Sequence, residues 1–241
     1  NAKKTMLASV YENGGFYVGR YEAGISEFRT SNENEPTEVP SSKQNMIPYT
    51  NITRTEAKKL AEKVNSGGYT SSLMFGIQWD LMLAFMQNKG GVDVSTLTTD
   101  STNIGNYRNN KWSITNDKAQ YSTDGTWNNG SYTKGEEGAV LLTTGASDSF
   151  AKMNIYDVAG NVIEWTLECK LQEMSSKGVK LASLINTQIS PIRMAVTAAG
   201  GPCVVRGGYY YNGGTVSPAS YRGSYVVVYC HDGIGFRVTI Y

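Results

Sequence analysis

The stretch Asn154-Ile-Tyr-Asp-Val-Ala-Gly-Asn-Val-Ile-Glu-Trp165 decides how the rest of the chain is read. It opens as a short apolar strand, breaks at Gly160-Asn161, and resumes toward Trp165, so its backbone must turn inside an otherwise buried run. Asp157 and Glu164 stand on either side of that break. Their carboxylates, with carbonyls such as those of Gly160 and Val162, form a set of hard oxygens that would suit Ca²⁺. The same residues also suit a Gly-Asn turn leading into a core strand, with Glu164 paired to Arg206 or Arg237. Both readings stay open on spacing alone.

Outward from this stretch, composition narrows the function classes. The 22 Lys+Arg nearly balance 21 Asp+Glu, for a net charge of +1, so there is no electrostatic footprint for nucleic acid or an anionic membrane. Hydrophobic residues at 40% and charged ones at 18% describe a folded globular chain rather than a disordered one. No apolar run reaches spanning length, and no hydrophobic stretch follows the lysines of the segment 1–15, so no membrane insertion is expected. Three Cys cannot make a disulfide framework, and the default is a mostly reduced protein. The single histidine, His231, confines any His-relayed nucleophile to one residue and rules out a metal site built on several His.

Local patterns predict the elements. Gly15-Phe-Tyr-Val-Gly-Arg-Tyr-Glu22 alternates as a first strand would, after an Asn13-Gly14 turn. Residues 30–48 read as an exposed loop. Thr53-Arg-Thr-Glu56 has the form of a capping box, and Ala57, Leu60, Ala61 and Val64 follow at helical spacing. A second, more buried helix is predicted from Gly76 to Asn88, where Trp79, Met82, Leu83 and Met86 lie in a nearly continuous apolar run. Residues 92–135, rich in Asn, Thr, Ser and Gly, read as a polar surface excursion pinned by aromatics such as Trp112 and Trp127. Short strands are expected at 139–142, 155–165, 203–206 and 235–240. The stretch 171–194 fits a loop or a short helix.

The C-terminal segment from Arg206 to Arg237 holds six Tyr between positions 209 and 229, out of 16 in the chain. Tyr, Ser, Gly and Asn together compose a binding surface, giving large amphipathic area at low entropy cost with adaptable hydrogen bonding. A Tyr-rich β core is the competing reading. Three consecutive Tyr at 209–211 cannot all face inward on a strand, so at least one is exposed or lies in a loop.

Three motifs then stand in order: Gly15 to Glu22, Asn154 to Trp165, and Val204-Val-Arg-Gly-Gly208 followed by Ser220-Tyr-Arg222 and Gly233-Ile-Gly-Phe-Arg-Val238. Together they resemble the formylglycine-generating enzyme (sulfatase-modifying factor) family, a branch of the C-type lectin fold. The resemblance implies an α+β architecture over residues 1–241 as one domain: two helices, small twisted antiparallel sheets, much irregular loop, and termini brought together. It also implies a structural Ca²⁺ at Asp157, Gly160, Val162 and Glu164. The family's oxidases place two Cys shortly after Arg-Gly-Gly to hold copper, and this chain has Tyr209 to Ser217 there. The iron-dependent relatives need a set of histidines. Neither copper nor iron, and no catalysis of either type, is therefore expected; an oxidase using a displaced pair, Cys203 with Cys230, and a fixed calcium-dependent carbohydrate binder are the alternatives.

Within the family the C-terminus resembles the variable proteins of diversity-generating retroelements, found on phage tail tips and bacterial surfaces. That resemblance implies a hypervariable ligand-binding surface at Tyr209, Tyr211, Asn212, Thr215, Val216, Ser224, Tyr225, Val226, Val228, Tyr229, His231 and Asp232, with Trp112 or Trp127 at its rim. The implied partner is a protein or glycan on a cell surface. Arg206, Gly207, Gly208, Tyr221, Arg222, Gly235, Phe236 and Arg237 read as scaffold, the arginines tying loops to backbone carbonyls. Replacing Tyr209, Tyr211 and Tyr225 together is then expected to leave stability nearly unchanged.

Overall fold

The computed structural model describes residues 2–135, 137–169 and 201–241. The stretch 171–194 lies outside them. Four α-helices are formed among the described residues: α1 (Ala2–Asn13), α2 (Arg54–Ala61), α3 (Gly76–Gly90) and α4 (Val94–Thr98). The capping box is made as the sequence predicts. The Thr53 N–H donates to Glu56 Oε2 at 2.8 Å and the Glu56 N–H donates to Thr53 Oγ1 at 3.4 Å, which satisfies donors a helix start leaves unpaired. Helix α2 then buries Ala57, Leu60 and Ala61, and α3 buries Trp79, Met82, Leu83 and Met86.

Helices α1 and α4 are additions to the two predicted. Helix α1 meets the body through Met6 and Val10, which pack with Phe75 and Tyr241; one such pair, a turn apart, is too sparse a stripe to register as amphipathic. The five-residue α4 buries only Leu97. The predicted first strand also shrinks to β1 (Tyr17–Val18). Beyond it the chain keeps company with the C-terminus by single bonds, Gly19 N–H to Val238 O and Ala23 N–H to Phe236 O, both 2.8 Å.

Strands β4 (Ser71–Leu73), β10 (Ile163–Cys169), β11 (Cys203–Arg206), β12 (Arg222–Tyr225), β13 (Ile234–Phe236) and β14 (Val238–Ile240) build the two main sheets. One has the order β1-β14-β4 and is antiparallel, so that Tyr17 lies opposite Ile240 and the two ends of the chain meet. The other has the order β12-β11-β10-β13. Its last pair, β10 with β13, is parallel, which departs from the all-antiparallel expectation: the connection 226–233 after β12 carries the chain across the sheet to lie beside β10 in the same direction.

Smaller ladders complete the framework. Strands β2 (Gly24–Ile25) and β3 (Ile47–Pro48) pair with each other, as do β5 (Trp112–Ser113) and β8 (Thr133–Lys134). Strand β6 (Gln120–Ser122) lies between β7 (Trp127–Asn129) and β9 (Leu141–Leu142). The excursion at 92–135 is thus more regular than its composition suggests, although aromatics do pin it. Trp112 is buried against Tyr132 and Phe150, with the Lys134 ammonium 6.0 Å from its ring centre.

Two apolar clusters form the centre. One gathers Ile52, Leu60, Trp165, Val205 and Phe236; the other gathers Trp79, Met82, Met86, Tyr107 and Val158. A buried charge network links α3 to the main sheet. Asp80 accepts from Arg206 at 2.7 Å and from Arg222 at 3.4 Å, while Glu168 lies 3.0 Å from Arg222 and 3.7 Å from Arg206. Arg206 and Arg222 thus tie down the fold through these carboxylates, where backbone carbonyls were expected as their partners. Breaking a desolvated pair strands its partner, so Asp80→Ala should cost about 3–5 kcal/mol in urea denaturation. Lys58→Ala, which removes an exposed ion pair with Glu62, should cost under about 0.5 kcal/mol.

Candidate functional site

The 154–165 stretch turns earlier than its apolar pattern implies. Asp157 and Asn161 both take left-handed backbone conformations (φ 57° and 52°), so the strand begins only at Ile163. This directs the Asp157, Asn161 and Glu164 side chains inward. Asn161 Nδ2 donates to Glu22 Oε2 at 2.7 Å, the Val162 N–H donates to Glu22 Oε1 at 3.1 Å, and Asn161 Oδ1 accepts from the Leu142 N–H at 3.1 Å. Asp157 Oδ2 accepts from the Gly145 N–H at 2.8 Å.

Arg237 closes the cluster. Its guanidinium reaches Glu164 Oε1 at 2.8 Å, Gly19 O at 2.9 Å and Tyr156 O at 2.8 Å. Although Glu164 lies opposite Arg206 in the sheet register, its ion pair is with Arg237. The residues expected to ligate Ca²⁺ are therefore committed otherwise. The cationic position beside Glu164 is filled by a guanidinium, Asp157 is held by a backbone donor, and at Val162 it is the N–H that faces Glu22. Among the described residues no group of three or more His, Cys, Asp and Glu is arranged to hold a metal. As placed, this donor set does not fit the ion.

Three fully buried carboxylates face one guanidinium, and their protons respond. Burial pushes Glu22 well above the usual carboxylate range, with the Asp157 and Glu164 charges adding to the effect. Burial raises Asp157 to about 6 against the pull of the Gly145 N–H and Arg237, and raises Glu164 to about 7 against Arg237. Glu22 was not among the predicted site residues, though it closes the first motif.

The C-terminal segment leaves this frame through Gly207 and Gly208, both at positive φ (92° and 72°). A Cβ on Gly208 would stand 2.1 Å from Ser217 O, and one on Gly207 would meet Val158 O and the Trp79 ring. Only glycine passes here. Tyr209, Tyr210 and Tyr211 then splay in three environments. Tyr210 is buried and its N–H donates to Asn161 O at 3.0 Å; Tyr209 is half-buried; Tyr211 is exposed. The Tyr210 and Tyr211 hydroxyls both donate to Asp232 Oδ2 at 3.3 Å. Asp232 Oδ1 lies 2.8 Å from His231 Nδ1, and the carboxylate at this distance favours the protonated ring, which holds His231 above the ordinary histidine range.

A second group sits on the turn after β12. Tyr225 and Tyr229 stack with ring centres 4.5 Å apart, and Tyr225 meets Trp165 edge-on. Val226, Val227, Val228 and Tyr229 stand exposed, Val228 at 71%. Tyr209 faces both groups, so the structure brings Tyr209, Tyr211, Tyr225, Tyr229, His231 and Asp232 into one neighbourhood. Asn212, Thr215 and Val216 belong to a different turn, whose backbone contacts run to Arg108, Ser101 and Asn109. Ser224 is 3% exposed, pointing inward from β12, and so cannot belong to a surface.

A cavity of about 350 Å³ beside Asp232 has walls from Phe28, Asn51, Leu141, Tyr210 and Tyr211 and from the 122–125 turn. None of these but Tyr211 and Asp232 was a predicted site residue; only the fold brings them together. Trp127 packs edge-on against Phe28 at 5.7 Å and shares a cluster with Tyr210, which places it near this rim. Trp112 lies in the separate cluster with Phe150 instead.

The model of the sulfatase-modifying factor enzyme 1-like domain matches residues 18–240. The chain belongs to that family. No curated protein matches it in sequence at a significant level. Among solved structures it is similar to Treponema denticola variable protein 1, at 16% identity and a TM-score of 0.49, over 93% of this chain and 84% of that one. The Glu22-Asn161-Glu164-Arg237 cluster joins all three sequence motifs.

Because the cluster binds protons more tightly folded than unfolded, its contribution is present below the ordinary carboxylate range and is lost as pH rises through about 6–7. In EDTA-containing buffer, thermal melts should show stability falling by on the order of 2 kcal/mol between pH 5 and pH 8. Arg237→Met should steepen that fall, since the ionised carboxylates lose their counter-charge. A stability that rises with pH over this window would contradict the geometry.

Proposed function

We propose that this chain is a non-enzymatic ligand-binding module that displays a diversified surface on its C-terminal loops, in the manner of the variable proteins of diversity-generating retroelements. The observation that supports it is the separation of roles within one segment. Arg206, Arg222 and Arg237 are each no more than 2% exposed and locked in ion pairs, whereas Tyr211, Val226, Val228 and Tyr229 between them are exposed and lie outside the buried charge networks. Exposed Tyr and Val on rigid supports give amphipathic contact area at low ordering cost. A fixed catalytic pocket needs the opposite, groups held by a supporting shell.

The competing readings lose their residues. The positions after Arg206-Gly-Gly208, where family oxidases carry copper-binding thiols, hold Tyr, Asn, Gly and Thr. The displaced pair of that alternative is not assembled, because Cys203 lies opposite Cys169 in the sheet and Cys230 belongs to the turn after β12. A calcium-dependent sugar site would need its carboxylates at the surface, and Asp157 and Glu164 are buried. The partner class is a protein or glycan on a cell surface, met by a module on a phage tail tip or bacterial surface. No helix among the described residues is long and apolar enough to cross a membrane.

Sequencing the gene across a population tests this directly. Substitutions should fall on the exposed codons 211, 215, 216, 226, 228 and 229 and on the half-buried 209, 212, 225, 231 and 232, and should spare 206–208, 222, 224 and 237. An invariant segment, or variation that ignores burial, would overturn the proposal. In purified protein, Tyr211→Ala with Val228→Ala should shift Tm by no more than about 2 °C. Tyr225→Ala, which removes a ring packed on Trp165, should cost about 2 kcal/mol or more by urea denaturation; the triple tyrosine replacement is thus not stability-neutral.

A further inference from the structure

Two of the three cysteines meet at a place the ligand-binding surface does not use. Cys169 closes β10 and Cys203 opens β11, and the two are direct partners in the antiparallel register. Side chains of such opposed residues leave the same face of the sheet, with Cβ atoms about 4.5–5.5 Å apart, a spacing whose lower end meets the upper end of the disulfide range. Independent contacts say the same of the sulfurs. Arg54, at the start of α2, donates through Nη2 to Cys169 Sγ at 3.5 Å while its Nε holds Thr166 O at 2.7 Å. Arg54 also lies close enough to the Cys203 thiol to act on its charge, as does Cys169. Arg54 thus ties the Cys169 sulfur to the backbone of β10 beside Cys203. The two differ in access: Cys169 is exposed and Cys203 is 2% exposed.

We propose that Cys169 and Cys203 form a redox-active cross-strand dithiol, with Cys169 as the attacking thiol and Cys203 as the resolving one, closed to a disulfide by small-molecule disulfides such as oxidised glutathione. The Cys169 thiolate attacks one sulfur of the oxidant, forming a mixed disulfide and releasing one glutathione thiolate. The Cys203 thiolate then attacks the Cys169 sulfur and expels the second glutathione. The protons lost by the protein's two thiols pass to the two thiolates released. The protein dithiol is oxidised by two electrons and one glutathione disulfide is reduced to two thiols. Burial pushes the Cys203 thiol up, opposed by Arg54, so the resolving attack is the slower of the two steps. The product clasps β10 to β11 at the point where the chain leaves and re-enters the sheet.

The test treats the reduced protein with oxidised glutathione, blocks remaining thiols with an alkylating agent, and reads intact mass and a non-reduced peptide map. The expected result is loss of both thiols with no retained glutathione, a Cys169–Cys203 cross-linked peptide, and a Tm raised by roughly 5 °C or more. Cys230→Ser should leave this unchanged. Cys169→Ser should abolish cross-linking and the Tm rise while leaving the reduced protein's melt unaltered. Replacing Arg54 by Gln should slow closure several-fold without changing the product. A stable glutathione adduct on Cys169 with Cys203 still alkylatable, or a cross-link that involves Cys230, would overturn the proposal.

Discussion

Arg237 is the interaction on which the rest depends. It is fully buried and touches three distant parts of the chain: the Gly19 carbonyl near the N-terminus, the Tyr156 carbonyl in the turn, and the Glu164 carboxylate on β10. Placing a guanidinium in the interior is costly unless its charge and donors are met. Those partners can only be met together once the chain ends are zipped, β13 lies beside β10, and the 157–161 turn is left-handed. One residue thus couples the order of the three motifs to a single arrangement.

The second buried network does the same for the binding segment. Asp80 on α3 and Glu168 on β10 grip Arg206 and Arg222, the residues at which the Tyr-rich stretch leaves and rejoins the sheet. With Arg206 and Arg222 fixed in this way and Arg237 fixing the far end, the segment 206–237 can change exposed side chains at modest cost, because substitutions at exposed positions away from such features usually shift stability by no more than about 0.5 kcal/mol. The boundary between the two regimes runs inside the segment. Tyr211 and Val228 lie on the free side, Ser224 lies on the fixed side, and Tyr209 and Tyr225 straddle it by facing the core with one edge.

Features with local causes were legible in the sequence. The capping box at Thr53 and Glu56 and the apolar run of α3 follow from short-range patterns, while the meeting of the termini was implied by the family resemblance. The misses share a different cause. Helix α1 buries too few residues to mark itself. Nothing in spacing reveals that Arg237, far away in sequence, pairs with Glu164. The cavity walls from Phe28, Asn51 and Leu141 likewise meet Tyr210 and Asp232 only through the β2–β3 and β6–β9 ladders. Ser224 was placed on the surface by residue type, whereas strand alternation decides its face.

The central claim is that a charge-locked frame carries a substitution-tolerant surface. A saturation library over residues 206–237, displayed and selected for resistance to proteolysis, tests it most directly. The frame predicts depletion of nearly all substitutions at Arg206, Gly207, Gly208, Arg222 and Arg237, with broad tolerance at Tyr211, Val216, Val226, Val228 and Tyr229. Equal intolerance at both sets of positions would contradict it.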